Sequence, residues 1–346
     1  NVWQNHTYWS AAVASLQSLH THRPLLLSMN GEIFWSRAIR KGEDCTHIDI
    51  QLQRSKSWPI RGCVVMPYIQ GVFQLANHGL QHNLLWSTNL NRTRAALEIL
   101  RQKTKFCSFT VKSLFLRIYY PDALVRHVLH YLLSTKYKAC DMLGAYRSVQ
   151  LNGSVVLSSP SSIACDAKLN AEYANYSGAS WHLLEHCQRK YKFSINMENT
   201  VSYGYTSEKL YTGLLAHTVP IYFGNKQIAD IVNVDRIIYC EIPDDVLIDK
   251  RREFKSDRLF TNDEYVNSQR GQQRILQWGI EAYAPYLQEC VQQIIEVDQN
   301  DTLYAWKVSQ PIIPNNTLTN THYDGYVMAK SIVDTMRALN SSLFVQ

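Results

Sequence analysis

The strongest constraint in this sequence is the stretch 191–224, which reads strand, loop, helix, strand without a break. Tyr191, Phe193, Ile195 and Met197 alternate with Lys192, Ser194 and Asn196, the period of two that a half-buried strand requires. The alternation stops at Asn199, and a polar, glycine-containing loop runs to Thr206. Ser207 is a good helix N-cap, and the spacing predicts a helix from there to about His217. The run VPIYF at 219–223 is apolar on both faces, as a buried parallel strand is, and Gly224-Asn225 closes it. In such α/β units ligands bind at the C-terminal ends of the strands, which here is the loop 199–206.

The rest of the chain alternates in the same way and predicts an α/β protein. Ala12, Val13, Leu16 and Leu19 follow helical spacing, and residues 24–29 read as a strand ending at Asn30-Gly31. The segment RGCVVMPY at 61–68 is another strand, and KFCSFTV at 105–111 a third. Pro121-Asp122 opens an amphipathic helix through Leu124, Val125, Val128, Leu132 and Leu133. Residues 152–162, rich in Gly, Ser and Pro, predict a loop, and further helices are expected over 268–295 and 325–339. At 346 residues the chain exceeds what one core usually holds. The polar, irregular stretch 76–104 is the natural boundary between two domains.

Where charge sits in this pattern points to an anion. Lys209 falls in the first turn of its helix, where the macrodipole already presents positive charge. A cation there fits an anion held against both, or a nearby acid of the chain itself. Arg126, early in a second helix that also follows a strand, suits the other arm of a diphosphate clamp; alone it is an ordinary surface Arg. Glu208 serves as a first-turn acid or a sugar-hydroxyl acceptor. Tyr203 and Tyr205, flanking Gly204, read as a stacking surface for a base or as two surface tyrosines. A net charge of +6 suits a small anionic substrate and falls short of the basic stripe of a nucleic-acid binder. The mixed run Lys250-Arg251-Arg252 with Glu253 reads as a solvated face.

The sequence contains no Asp-x-Asp triplet, no G-x-x-x-x-G-K-S/T loop, no G-x-G-x-x-G turn, no H-E-x-x-H and no G-x-S-x-G. The signatures of P-loop nucleotidases, dinucleotide dehydrogenases, zincins and serine hydrolases are therefore missing. Eight cysteines include no C-x-x-C pair; Cys107 and Cys240, in apolar runs, read as buried thiols. Seven N-x-S/T sequons lean towards a secretory lumen. No apolar run reaches the ~18 residues of a membrane span. The sequence opens at Asn1, so a leader, anchor or first structural unit is expected outside it.

The stretch YKFSINMENTVSYGYTSEKLYTGLLAHTVPIYFG at 191–224 resembles the signature of the α1,3/4-fucosyltransferases, glycosyltransferase family 10, most of all its bacterial Helicobacter-type members. That signature runs F-E-N-S/T, then D/G-Y-V/I-T-E-K, then a helix and a V/I-P-V/I-x-x-G strand. Weaker similarity lies at KFCSF (105–109), Asp141-x-x-Gly144, Asn300-Asp301-Thr302, Asn30-Gly31-Glu32 and RGCVVMPY. Here Met197 replaces an aromatic residue, Thr206-Ser207 replaces Val/Ile-Thr, and Ile33 follows Glu32 where the family has Asn or Ser.

The resemblance implies a GT-B fold, two Rossmann-like domains facing a cleft. Residues 1–103 would form a short acceptor-side domain, 104–300 the GDP-sugar-binding domain and 301–346 a helical tail. It implies transfer of L-fucose from GDP-β-L-fucose to an N-acetylglucosamine-containing oligosaccharide, with inversion and an α1,3 linkage. Arg126 and Lys209 would hold the diphosphate, Asn199, Tyr205 and Glu208 the nucleoside or sugar, and Glu32 would be the base, with Glu43 and Asp44 as alternatives. The metal site is none and no cofactor is required, although a divalent cation can stimulate. No nucleic-acid partner is expected, and any membrane anchor lies outside this stretch. The compartment would be the Golgi lumen for a eukaryotic chain and the cytoplasm or membrane periphery for a bacterial one. A non-catalytic GDP-sugar or glycan binder, and a transferase for another GDP-hexose, are the alternatives.

Overall fold

The computed structural model describes residues 27–29, 50–53, 64–67, 85, 91–110, 121–143, 149–151, 154–157, 184–201, 205–260, 262–316 and 334; five of its short strands are described by backbone alone. Those five are β1 (Leu27–Met29), β2 (Ile50–Gln53), β3 (Val64–Pro67) and, further on, β6 (Val149–Leu151) and β7 (Ser154–Leu157). Strands β1, β2 and β3 pair in parallel in that order. Helix α1 (Arg92–Gln102) then leads into β4 (Lys105–Thr110). A 3-10 turn at Pro121–Ala123 opens α2 (Leu124–Lys136), followed by β5 (Asp141–Leu143) and the hairpin of β6 and β7.

The stretch singled out above contains β8 (Tyr191–Ile195), preceded by α3 (Leu184–Gln188) and followed by α4 (Glu208–Leu215) and β9 (Val219–Tyr222). The chain continues through β10 (Ile238–Tyr239), α5 (Asp244–Ser256), α6 (Asp263–Asn267), α7 (Gln269–Tyr283), α8 (Gln288–Gln299) and α9 (Asp301–Ser309). The α/β reading holds, and so do the predicted strands at 105–111, 191–197 and 219–223 to within a residue or two. Residues 154–157, expected in a loop, form half of an antiparallel hairpin instead. Their Ser-Val-Val-Leu pattern, following Asn152-Gly153, is a hairpin signal that outweighs the local Gly/Ser/Pro content. The predicted helices over 9–19 and 325–339 lie outside the described residues, apart from Asp334.

Strands β10, β9, β8, β4 and β5, in that order, form one parallel sheet. The chain leaves β4 for β5 on one flank and later lays β8 against the other flank of β4, with Cys107 opposite Phe193 and Phe109 opposite Ile195. Its order therefore reverses between β4 and β8. Leu124, Val125, Val128, Leu129, Leu132 and Leu133 of α2 are buried in the main core, together with Phe109, Phe193, Ile195, Ile221 and the inner faces of α7, α8 and α9. Each such side chain contributes about 1.5–3 kcal/mol relative to exposure.

Disulfides join Cys107 to Cys140 and Cys240 to Cys290, and Cys187 is also disulfide-bonded. Cys107 and Cys240 are thus buried but are not thiols. Their partners lie 33 and 50 positions away, separations that local spacing does not reveal.

At the opposite end of the sheet, the turn after α4 carries His217 at φ 53°. Lys103 Nζ donates to the carbonyl of Ala216 on one side of it (3.0 Å), and Arg236 Nη1 to that of Thr218 on the other (2.7 Å). Burial, with Arg236, Lys103 and Arg189 nearby, lowers the His217 pKa to about 4. The unfolded chain takes up this proton first, so stability falls as pH drops from about 6.5 to about 4, by ~3 kcal/mol for this group. His217→Asn, which tolerates positive φ, should flatten that slope. Denaturant titrations of variant and wild type across this range check it; parallel slopes would refute the assignment.

Candidate active site

The reversal between β4 and β8 makes a switch point at the C-terminal edge of the sheet, where open α/β sheets have the crevice that takes ligands. Helices following parallel strands begin at this edge, so α2 and α4 both bring their N-termini to it. The site residues come from these two starts and from the loop after β8.

Ser207 is the N-cap of α4, as its position suggests, and its Oγ accepts from the Lys209 backbone N–H. The same residue is pinned from below by Glu198, whose carboxylate accepts from Ser207 N and from Ser207 Oγ, both at 2.7 Å. Glu198 is 0% exposed, and burial pushes its pKa up, against Lys209 and the two Ser207 donors, which pull it down. Its methylene lies where a Cβ on Gly224 would go, so the glycine after β9 makes room for it. Sequence reading missed Glu198 as a site residue; the signal was an acid directly after the alternating strand.

Lys209 Nζ lies 3.0 Å from Ser207 Oγ, 3.4 Å from Glu208 Oε1 and 3.7 Å from Glu198 Oε2, with the side chain 29% exposed. Burial disfavours the ammonium, but Glu208, Glu198 and Tyr205 outweigh it and raise the pKa. Lys209 therefore stays charged at any physiological pH. Lys209 is thus paired with acids of its own chain, and a second cation lies within electrostatic reach of it. That cation is Arg126, 7% exposed, whose Nη1 donates to Asn199 Oδ1 at 3.0 Å and whose charge acts on Lys209. Residues 73 positions apart thus meet across the switch point.

The loop between β8 and α4 is anchored as well as capped. Asn196 Nδ2 donates to the carbonyl of Lys209 at 2.7 Å, and its Oδ1 takes the Ser194 hydroxyl. Gly213 of α4 faces both polar atoms, and any Cβ there would collide with Asn196 Oδ1 and Ser194 Oγ. Tyr205 is buried at 3% exposure, so it is neither a surface tyrosine nor an open stacking face; it lies within electrostatic reach of Lys209. Tyr203, Glu32, Glu43 and Asp44 lie outside the described residues. Among the described residues no group of three or more His, Cys, Asp or Glu is placed to hold a metal ion.

Residues 139–242 match the sequence model described as "Glycosyltransferase family 10 (fucosyltransferase) C-term". That match, over less than a third of the chain, makes 139–242 a segment similar to family 10 glycosyltransferases. It holds Asn199, Tyr205, Glu208 and Lys209, whereas Arg126 lies before it and reaches the site only through the fold. Over 44 residues the chain is 43% identical to an α-(1,3)-fucosyltransferase of Helicobacter pylori, an alignment covering 13% of this chain and 9% of that protein. Over 75 residues it is 39% identical to an α-(1,4)-fucosyltransferase of Arabidopsis thaliana, covering 21% of this chain and 17% of that one. The matched part therefore spans less than a fifth of the length of either relative. A crystal structure of an α1,3-fucosyltransferase with GDP-fucose aligns over 78% of this chain and 76% of its own at 15% identity, with a TM-score of 0.37. The family 10 segment runs from β5 through β10, so it includes β8 and β9 on one side of the switch point but neither β4 nor α2.

Proposed function

We propose that this chain is an inverting glycosyltransferase that moves L-fucose from GDP-β-L-fucose to a hydroxyl of an N-acetylglucosamine-containing glycan, in α1,3 linkage. The observation that carries the reading is Arg126. It stands outside the family 10 segment, yet contacts Asn199 inside it and shares the crevice with Lys209. Two cations at two helix starts suit a diphosphate, with each helix N-terminus adding partial positive charge. Asn199, Tyr205 and Glu208 are assigned to the nucleoside or sugar; Asn199 contacts Arg126 and Glu208 pairs with Lys209, whereas Tyr205 is buried. The arrangement accords with a GT-B fold, in which residues 104–300 bind the donor, 1–103 face it and 301–346 form a tail.

The reaction is a single displacement. A carboxylate of the acceptor side, assigned to Glu32, removes the acceptor hydroxyl proton while that oxygen attacks the anomeric carbon. The bond from this carbon to the β-phosphate oxygen breaks, and the electron pair leaves with GDP. Arg126 and Lys209 stabilise the charge that develops there. No metal is needed in this scheme, because side-chain cations do the neutralising.

Disulfides at Cys107–Cys140 and Cys240–Cys290 suit an oxidising compartment and support the Golgi lumen as the site of action. Among the described residues no helix is long and apolar enough to cross a membrane.

GDP release should be measured from GDP-fucose and other GDP-hexoses, with and without lactosamine-type acceptors, in the presence and absence of EDTA. The expected result is acceptor-dependent release from GDP-fucose that survives the chelator. Complete loss in EDTA, restored by metal, contradicts the metal-free scheme. GDP binding without any transfer supports a non-catalytic binder instead.

A further inference from the structure

We propose that Arg251 is a positioning residue for the donor site, holding the two sides of the switch-point crevice at their working spacing; the proposal rests on the donor-site reading above. Within the run Lys250-Arg251-Arg252, Lys250 and Arg252 pair locally on the surface, with Glu253 at 2.6 Å and Asp249 at 3.0 Å. Arg251 turns inward instead, so the run is not a uniformly solvated face. Its Nε lies 3.0 and 2.9 Å from the two carboxylate oxygens of Asp122, and its Nη2 also donates to Asp122 Oδ2. Asp122 is fully buried in the turn that opens α2.

The same Nη2 donates to Thr200 Oγ1 at 3.1 Å and to the Val201 carbonyl at 3.2 Å. Thr200 Oγ1 in turn donates to Asp122 Oδ2 at 2.7 Å, and the Val201 N–H points to that oxygen at 3.4 Å. One guanidinium from α5 therefore ties the start of α2 to the loop after β8. Asp122 precedes Arg126 by one helical turn, and Thr200 directly follows Asn199. The Arg126–Asn199 contact is thus flanked by the clamp on both segments. A lysine keeps the charge of Arg251 but offers no planar fork, so it cannot hold the carboxylate and the loop together.

The test is a double-mutant cycle read by calorimetric titration with GDP, using wild type, Arg251→Lys, Asn199→Ala and the double variant. A residue acting through the Arg126–Asn199 pair gives a non-additive cycle, whereas a merely structural contribution gives independent losses. Arg251→Lys should weaken GDP binding about tenfold in the wild-type background and less than about twofold when Asn199 is already alanine. If Arg251→Lys does not fold, Asp122→Asn/Arg251→Met, which leaves no unpaired buried charge, takes its place with the same expectation. Unchanged GDP affinity in the single variant, or equal losses in both backgrounds, overturns the positioning role while leaving the donor site intact. Failure of the wild type to bind GDP overturns the donor-site reading, and the positioning role with it.

Discussion

Replacing Lys209 or Arg126 by alanine should each lower GDP affinity about ten- to a hundredfold, the worth of a charge-assisted contact of about 1.5–3 kcal/mol. The two variants should differ in stability. Among the described residues Lys209 is the cation paired with buried Glu198, at 3.7 Å, so its loss leaves that carboxylate short of compensation and lowers the melting temperature. Arg126→Ala breaks a hydrogen bond to a neutral amide and should cost less stability for a similar loss of affinity. Calorimetry with GDP and thermal denaturation of both variants check this. Undiminished affinity in both would remove the diphosphate clamp.

The larger effect is expected at the base. Glu32→Gln keeps the shape of the side chain and much of its hydrogen bonding but removes the proton acceptor, so transfer should slow by about 10²–10⁴. GDP affinity should hardly change, because Glu32 belongs to the acceptor side in this account. Glu43→Gln and Asp44→Asn serve as comparisons. Transfer at the wild-type rate by the Glu32 variant, with a collapse in one of the other two, would move the role to that residue.

What the sequence discloses and conceals follows from the range of the forces involved. The strand, cap and helix at 191–217 were legible because hydrophobic alternation and N-capping act between near neighbours, and Ser207 with Lys209 falls where expected. Strands β5 and β10, three and two residues long, are too short to display a period. The hairpin of β6 and β7 was obscured by turn-rich composition that in fact surrounds it. The clamp was concealed by distance: Arg251 reads as surface charge until Asp122, 129 positions earlier, is folded against it. The disulfide partners of Cys107 and Cys240 were out of reach for the same reason. Arg126 was singled out by its place early in a helix, but only the strand order brings it to Asn199.

The central claim is the location of the donor at the β4–β8 switch point, and amide hydrogen exchange with and without GDP tests it most directly. The account predicts that GDP slows exchange in the segments 121–128, 196–201 and 205–212, and that Lys209→Ala abolishes this protection at the same GDP concentration. Protection by GDP confined to other segments, with these three unchanged, would contradict it.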